Sequence, residues 1–553
     1  MIHSEKEVIK VSIDAVIISD IGEDSFSGTN PLKLKIEGRP ANIQVVINYL
    51  QHQGNIALPI WGDDVMSWSS APKLNGIYLL SYLTQKGFKA ELINNYYEER
   101  KKFCNLLLNT PHAVIISTTF IHNKKTLYNL VNDIRSLAPD IFIIAGGQFV
   151  FFSYQMLQRL GSPPYDLDTL KADFLFLGDE GEPLVDLYII SLRGEHFLLD
   201  ALNRLKDNRP MDDLPNSALF IKNKYFFHKQ VDDISNAEEI LINWKSLPDT
   251  IFKSCVVPMQ ASNGCPYKCA FCNFIKDRRL TFVKPIDRLI AELKAVSERG
   301  VRYVWFVDDN FRLGKNDLNF VCQRFIEEGI DINWMSFIRA SALKDIDGEL
   351  LRRSGCLEVQ LGLESGDTQV LRNMNKKADP IMYSEVIKKL LAAGINCSCY
   401  FIFGFPGETD ESALHTREFI KSIEHPELDG IVSFSIFPFI LAPMSPIYEY
   451  EMREKYGLTG YMLNWKHMTM DSEQAMKHVI RTFLELENSG PIYRGDNLDI
   501  LYCMSPRQRK QFVAKRHKLS KLALKYPLEK SHVIEEFKEL FCHDMLNDLK
   551  LCS

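Results

Sequence analysis

The sequence predicts an α/β protein: a sheet-bearing N-terminal part, a longer second part built as a partial (β/α)6 barrel, and a helical C-terminal region. Three observations predict it. Short apolar runs alternate with longer amphipathic stretches, the pattern of parallel β-α-β units. The alternation loosens from about Arg193 to Pro258 and then resumes. Beyond about Asp471 the pattern is helical, with no further strand-rich stretch. At roughly 150 residues per domain, the 553 residues divide into an extension (1–60), a first domain (61–192), a linker (193–250), the barrel (251–470) and the helical region (471–553).

Taken in order, Ala90–Ile93, Ala113–Thr118, Ile141–Ala145 and Phe174–Gly178 read as buried strands of the first part. Leu74–Gln85 and Lys124–Leu137 carry apolar residues at helical spacing. Asp212–Pro215 and Asp232–Glu239 read as turns within the linker. The second part offers strands at Met259–Ser262, Tyr303–Asp308, Asn333–Ile338, Glu358–Leu361, Ser398–Phe403 and Ile431–Phe437, with helices such as Pro285–Glu298 between them. Six such steps fit a partial barrel better than a small open sheet. No repeat with a period of 20 to 50 residues is present.

Composition excludes several classes. Lys+Arg 65 against Asp+Glu 71 gives a net charge of −6, so no overall basic field attracts nucleic acid or anionic lipid. The longest apolar stretches fall short of the ~20 residues that span a bilayer. Met1–Lys10 is polar and charged, unlike a signal peptide. Twelve cysteines in 553 residues are too sparse for a disulfide framework. The expectation is a cytoplasmic protein with reduced thiols.

Three of those cysteines stand together in Asn263-Gly-Cys-Pro-Tyr-Lys-Cys-Ala-Phe-Cys272. Cys265, Cys269 and Cys272 directly follow the first expected barrel strand, at the end where barrels build active sites. Thiolates in one tight loop can converge on a soft metal centre. A structural zinc site takes four ligands, and the next candidate downstream is the distant Cys322. A four-iron cluster held by three cysteines instead leaves one iron open.

This Cys-x3-Cys-x2-Cys loop, with Phe271 before its last cysteine, resembles the signature of the radical SAM superfamily. The resemblance implies that Cys265, Cys269 and Cys272 hold a 4Fe-4S cluster, that S-adenosylmethionine (SAM) binds its open iron, and that one electron cleaves SAM to a 5′-deoxyadenosyl radical. Val307-Asp-Asp-Asn-Phe311 resembles the family's acidic segment, which implies that Asp308 and Asp309 meet the SAM amino group. Arg339, after the third strand, is expected to fork onto the SAM carboxylate. Gln360-Leu-Gly-Leu-Glu-Ser-Gly366 is similar to the family's Gly-x-Glu-Ser segment, which implies ribose or methionyl contacts for Glu364 and Ser365. Phe403-Gly-Phe-Pro-Gly-Glu-Thr409 resembles the turn that follows the fifth strand. Each has a plainer reading: Asp308 and Asp309 as a turn or cap, Arg339 as a structural ion pair, Glu364 as a helix cap.

The first part carries a second resemblance. Ala71-Pro-Lys-Leu-Asn-Gly76 opens a helix, while Ser117-Thr118-Thr119, Ala145-Gly146-Gly147 and Gly178-Asp-Glu180-Gly181-Glu182 follow expected strands. Small residues at strand ends let a ligand approach the backbone, as at the switch point of a doubly wound sheet. Together they resemble the Rossmann-like cobalamin-binding domain that precedes the barrel in one radical SAM subgroup. That implies cobalamin contacts at Ser117, Thr118, Gly146, Gly147, Glu180 and Gly181. The Asp-x-His-x-x-Gly motif that supplies a lower histidine ligand is absent, and His52, His112 and His122 lack its frame. Cobalamin without a histidine ligand is therefore expected.

The leading expectation is a cobalamin-dependent methyltransferase acting on an unactivated carbon, or on phosphorus, of a small metabolite, with an external electron donor such as flavodoxin or ferredoxin. A radical SAM cyclase, oxidoreductase or rearrangement enzyme with a degenerate cobalamin domain is the second. A zinc-binding sensor or RNA-binding module is the third. Arg507–Lys530 holds nine Lys/Arg against Glu529; Phe512, Leu519, Leu522 and Tyr526 share a helical face, leaving a solvated basic side. No residue is singled out as the catalytic acid, base or nucleophile.

Overall fold

A computed structural model describes residues 13–22, 35–36, 39–40, 71–160, 167–178, 181–232, 241–254, 256–273, 282–313, 317–492, 502, 504–525 and 535. The chain divides into two compact units, Met1–Ser25 with Pro72–Ile251 and Phe26–Ala71 with Phe252–Ser553.

The first unit is built on five parallel strands, β1 (Ala15–Ile18), β2 (Ala90–Ile93), β3 (Ala113–Ser117), β4 (Phe142–Gly146) and β5 (Leu187–Ile189), in the order β2-β1-β3-β4-β5. Runs such as Ala-Val-Ile-Ile in β1 and Ala-Val-Ile-Ile-Ser in β3 are apolar throughout because helices cover both faces of a doubly wound sheet. β1 feeds β2 on one side while β3 lies on the other, so the strand order reverses between β1 and β3. Helices Leu74–Gln85, Lys124–Leu137 and Gln148–Arg159 make the crossovers. Asn123 caps the second by accepting from the Thr126 amide.

Three expectations are corrected here. Phe174–Gly178 is not a strand; the fifth strand is Leu187–Ile189. Phe176 has φ +71°, which breaks any ladder. Its ring instead packs edge-on against Tyr188, Tyr225 and Phe227, so the apolar run is a buried plug. Second, Ala15–Ile18, within the segment read as an extension, lies inside the sheet between β2 and β3. Third, the segment read as a linker holds helix Glu195–Lys206 and a hairpin, β6 (Ser217–Ile221) and β7 (Lys224–Phe227), which extends the sheet antiparallel to β5. Lys222 and Asn223 both have positive φ, the geometry a two-residue hairpin turn requires. The turn expected near Asp212 is present, whereas most of Asp232–Glu239 lies outside the described residues.

The second unit carries six parallel strands in sequential order: β8 (Val256–Met259), β9 (Tyr303–Phe306), β10 (Asn333–Phe337), β11 (Cys356–Glu364), β12 (Asn396–Phe403) and β13 (Val432–Pro438). A short strand, β14 (Gly490–Pro491), adds to β13. Sequential parallel order with intervening helices is that of the expected partial barrel. One face packs on helices, Trp334 against Phe325, Phe401 against Phe419 and Phe434 against Phe483. The opposite face carries partly exposed Phe337, Tyr400 and Ser435 beside buried Gln360 and Ser398. At the amino ends of the strands, Ala71, Val256, Tyr303, Met335 and Leu357 form a buried cluster on which Tyr502 and Trp305 pack.

Helices Ser472–Glu485 and Pro506–Lys525 form the helical region. The basic side of the second is less solvated than expected. Arg516 is buried with its guanidinium over the Phe512 ring, Arg509 lies over Tyr502, and Lys510 donates to the Pro426 carbonyl at 2.8 Å. Phe512 is buried as expected, while the Leu519 side chain and Tyr526 lie outside the described residues. Among the described residues no helix is long and apolar enough to cross a membrane.

Candidate active site

The cysteine loop is held at the carboxyl end of β8. Ser262–Asn263 pairs antiparallel with Phe282–Val283, and Gly264 turns the chain with φ +81° into Cys265. Asp308, buried beyond β9, accepts from the Ala261 amide (3.1 Å), the Ser262 amide and the Ser262 hydroxyl (2.6 Å). Asp309 accepts from the Gly264 amide at 3.0 Å. The acidic segment therefore fastens the strand-to-loop junction with its own carboxylates. Burial outweighs these bonds and pushes the Asp308 carboxyl up to about 6, and it raises Asp309 as well.

The rest of the loop is tied to its surroundings through the backbone. Ala270 N–H donates to Met374 O, the Asn375 side chain donates to Lys268 O, and Ile447 N–H donates to Ala270 O. Arg339 leaves β10 and lies over the Tyr267 ring at 3.6 Å. Its Nη1 is 3.6 Å from the Cys269 sulfur and its Nη2 donates to Lys376 O. Asn310 accepts from the Arg339 amide at 3.1 Å, which links the acidic segment to the guanidinium. Burial raises the Cys265 thiol while Arg339 pulls it the other way.

Glu364 ends β11 with φ +69°, where the register with β12 shifts between Gly362 and Glu364. Its carboxylate pairs at 2.7 Å with Lys376, both side chains being buried. The Lys376 ammonium is 5.8 Å from the centre of the Phe271 ring. Glu364 is not the helix cap: Asp367 caps Thr368–Asn373, accepting from the Gln369 and Val370 amides. Ser365 meets the Thr416 hydroxyl at 2.9 Å and accepts from the Asp367 amide. Thus Cys269, Phe271, Arg339 and Glu364 come together around Lys376, while Ser365 faces Thr416. Sequence reasoning missed Lys376, since no motif places a lysine twelve residues after Glu364.

Gly404–Thr409 is first a backbone device. Thr409 caps helix Asp410–Ser422 in a reciprocal box with Ser412. Glu408, fully buried, accepts from the Gly404 amide with one oxygen, and its other oxygen has no partner among the described residues. Desolvation pushes its carboxyl up to about 8. Buried His467 donates through Nε2 to Gly404 O at 3.2 Å, and burial lowers its basicity.

The first unit gathers a second set of polar and small residues at the carboxyl ends of β1, β3 and β4. Asn75, in the first turn of helix Leu74–Gln85, donates through Nδ2 to Ser19 O (2.9 Å) and to Ser117 Oγ (2.8 Å). Those acceptors fix the amide orientation, leaving Oδ1 buried and without a partner. Thr118 Oγ1 donates to Gly146 O at 2.8 Å. Gly147 has φ +105°, and a Cβ there would stand 3.3 Å from the Thr118 amide. Gly181 is also left-handed at φ +65°. Glu180 lies outside the described residues; next to it, Glu182 is buried between Lys124 (2.8 Å) and the Tyr225 hydroxyl. The reversal between β1 and β3 thus carries an open acceptor, small residues and bare backbone, the features of a ligand crevice at a switch point.

Comparison with known proteins follows this geometry. Residues 259–420 match the radical SAM superfamily. The chain is 25% identical over 362 residues to an uncharacterized methyltransferase of Pyrococcus horikoshii, covering 64% of this chain and 71% of that protein. It is 28% identical over 254 residues to the bacteriochlorophyllide d C-12(1)-methyltransferase of Chlorobaculum tepidum, spanning 43% of this chain and 52%, about half, of that relative. Among solved structures it is similar to the radical SAM methyltransferase TsrM of Kitasatospora setae with cobalamin and a 4Fe-4S cluster bound, with a TM-score of 0.53, 13% identity and coverage of 80% of this chain and 75% of that one. It is also similar to the cobalamin-dependent SAM radical enzyme OxsB with aqua-cobalamin and SAM bound, with a TM-score of 0.56, 15% identity and coverage of 98% and 78%. At such identities the likeness is one of fold. With its cysteine loop inside the matched segment, the chain carries a radical SAM domain over residues 259–420, and with the doubly wound sheet of its first unit it is similar in fold to TsrM and OxsB.

Proposed function

We propose that the chain is a cobalamin-dependent methyltransferase acting on an unactivated carbon, or on phosphorus, of a small metabolite. The observation that carries this reading is the presence, in one chain, of the clamped cysteine loop and the switch-point crevice with its open Asn75 oxygen. Both fit the groups they would hold. Cys265, Cys269 and Cys272 lie within one loop and the next cysteine along the chain is Cys322, a set that fits a four-iron cluster with one iron left open. The crevice offers small residues and an unmatched acceptor, as an amide-bearing corrinoid requires.

Bound there, the cluster would supply the electron that cleaves SAM, and cobalamin would supply the methyl group. The chain's own residues hold and tune. Arg339 places its guanidinium beside the Cys269 sulfur, one of the three that would hold the cluster. Asp308 and Asp309 lock the approach to Cys265. No histidine ligand enters the reading: His112 sits at the amino end of β3, 3.9 Å from Asp14 and at the opposite end of the strand from the crevice, and His52 is outside the described residues. A small-molecule substrate and a one-electron donor such as flavodoxin or ferredoxin complete the proposal.

Anaerobic purification tests it. The protein is expected to carry about four irons and to retain a corrinoid spectrum, and with SAM, reductant and substrate to form both 5′-deoxyadenosine and S-adenosylhomocysteine. Asn75→Leu should lower corrinoid retention by roughly tenfold, the loss of about one hydrogen bond. 5′-Deoxyadenosine without S-adenosylhomocysteine, on protein that retains no corrinoid, would replace methyl transfer with the cyclase or rearrangement reading.

A further inference from the structure

Tyr383 sits near the start of helix Pro380–Ala392, which Asp379 caps by accepting from the Ile381 amide at 2.8 Å. That helix packs on β12 and on the turn Ala340–Leu343, which directly follows Arg339. The centre of the Tyr383 ring lies 6.4 Å from that of Phe419, and Phe419 lies 6.3 Å from Phe401. Phe401 stands opposite Glu364 in the sheet. The tyrosine therefore occupies the helix-covered side, behind the end of β11. It is 2% exposed, and its hydroxyl is buried without a hydrogen-bond partner among the described residues.

A buried tyrosine hydroxyl normally finds a partner, and one left unmatched carries a cost that phenylalanine in the same place would not. The surroundings identify the partner it lacks. Burial raises the phenol, and the charged groups that act on it are Glu364, Arg339 and Cys269. The phenol thus keeps its proton at neutral pH and has a hydrogen to donate. Arg339 offers donors and no acceptor. The Glu364 carboxylate is already paired with Lys376 at 2.7 Å. That leaves the Cys269 sulfur, which among the described residues is approached by Arg339 Nη1 at a long 3.6 Å. As a thiol this sulfur is a weak acceptor; as a metal ligand it is a thiolate, and a bond to an anionic acceptor is stronger.

We infer that Tyr383 is a positioning residue of the cysteine loop: its hydroxyl donates to the Cys269 sulfur once that sulfur holds iron, and this bond raises the reduction potential of the cluster. Reduction adds negative charge to the cluster, and a hydrogen bond to one of its sulfurs stabilises that charge. A neutral phenol does this without placing a second cation beside Arg339. The unmatched hydroxyl of the unloaded loop is then the counterpart of a bond made on loading. This inference rests on the cluster-bearing loop of the proposed function.

The test compares wild type with Tyr383→Phe as anaerobically purified full-length protein, without SAM, in a redox titration followed by the EPR signal of the reduced cluster. The variant's midpoint is expected to be lower by about 59 mV, a tenfold change in the equilibrium of a one-electron couple. The midpoint does not depend on how much of the protein is loaded, so partial loading of the variant leaves it readable. A second measurement uses both proteins stripped of iron. There Tyr383→Phe is expected to unfold no earlier than wild type, because it removes a hydroxyl with no partner. An unmoved midpoint overturns the inference; if SAM binding is weakened instead, the hydroxyl serves Glu364. Earlier unfolding of the stripped variant also overturns it, since that would reveal a bond made without the cluster. Iron content of the wild type separates the two claims. Protein that holds no iron refutes the cluster of the proposed function, while about four irons with an unmoved midpoint refutes only the role of Tyr383.

Discussion

Glu408 illustrates what complete burial does to a carboxyl group. With one oxygen on the Gly404 amide and the other unmatched, its neutral form is favoured, and its carboxyl is pushed up to about 8. The folded protein then binds this proton more tightly than the unfolded chain, whose glutamate titrates near 4.3. Its contribution is full below the unfolded value and is lost as pH rises through about 8. Urea midpoints are expected to fall between pH 5 and 8.5, and Glu408→Gln should flatten that slope; an unchanged slope in the variant would remove Glu408 as its cause. Gly404 beside it has φ +85°, and a Cβ there would stand 2.4 Å from the Trp465 ring and 2.6 Å from Ala475. Gly404→Ala should therefore cost about 2–4 kcal/mol, read as a lowered Tm.

At the scale of elements, the end of β11 shows a local irregularity fixed by a tertiary partner. The register shift and the left-handed Glu364 persist because Lys376 meets the carboxylate in a buried pair. Removing one partner strands a charge, so Lys376→Met should cost about 3–5 kcal/mol. The double variant Glu364→Gln, Lys376→Met should recover much of it, as a double-mutant cycle in denaturant would show. The elements read correctly from sequence were those with a strong period or a run of buried β-branched residues, such as β3, β4 and helix Lys124–Leu137. The misread ones had ambiguous local signals. Phe174–Gly178 is apolar because it plugs a gap, and burial alone does not distinguish a plug from a strand. β1 is four residues long, and its place in the sheet depends on partners 75 and 98 residues away in sequence.

For the whole molecule, a net charge of −6 conceals a basic helix whose Arg509, Lys510 and Arg516 are spent on Tyr502, Pro426 O and Phe512. Arg507, Lys515, Lys518 and Lys525 are exposed on that helix, enough for only about four phosphate contacts and a modest counterion release. Unstructured RNA is accordingly expected not to bind at submicromolar concentration in 0.15 M salt, and a gel-shift titration that saturates below that level would reverse this view. By itself the sequence determined the α/β class, the barrel strands and the cysteine triplet, because these depend on local periodicity and on the spacing of reactive side chains along the chain. The tertiary structure alone decided that Asp308 serves its own backbone, that Glu364 is bound to Lys376, that Asn75 bridges two strand ends and that Gln360 keeps a buried oxygen unmatched. Each of these depends on which distant groups satisfy or abandon a buried polar atom, a balance that no stretch of sequence contains.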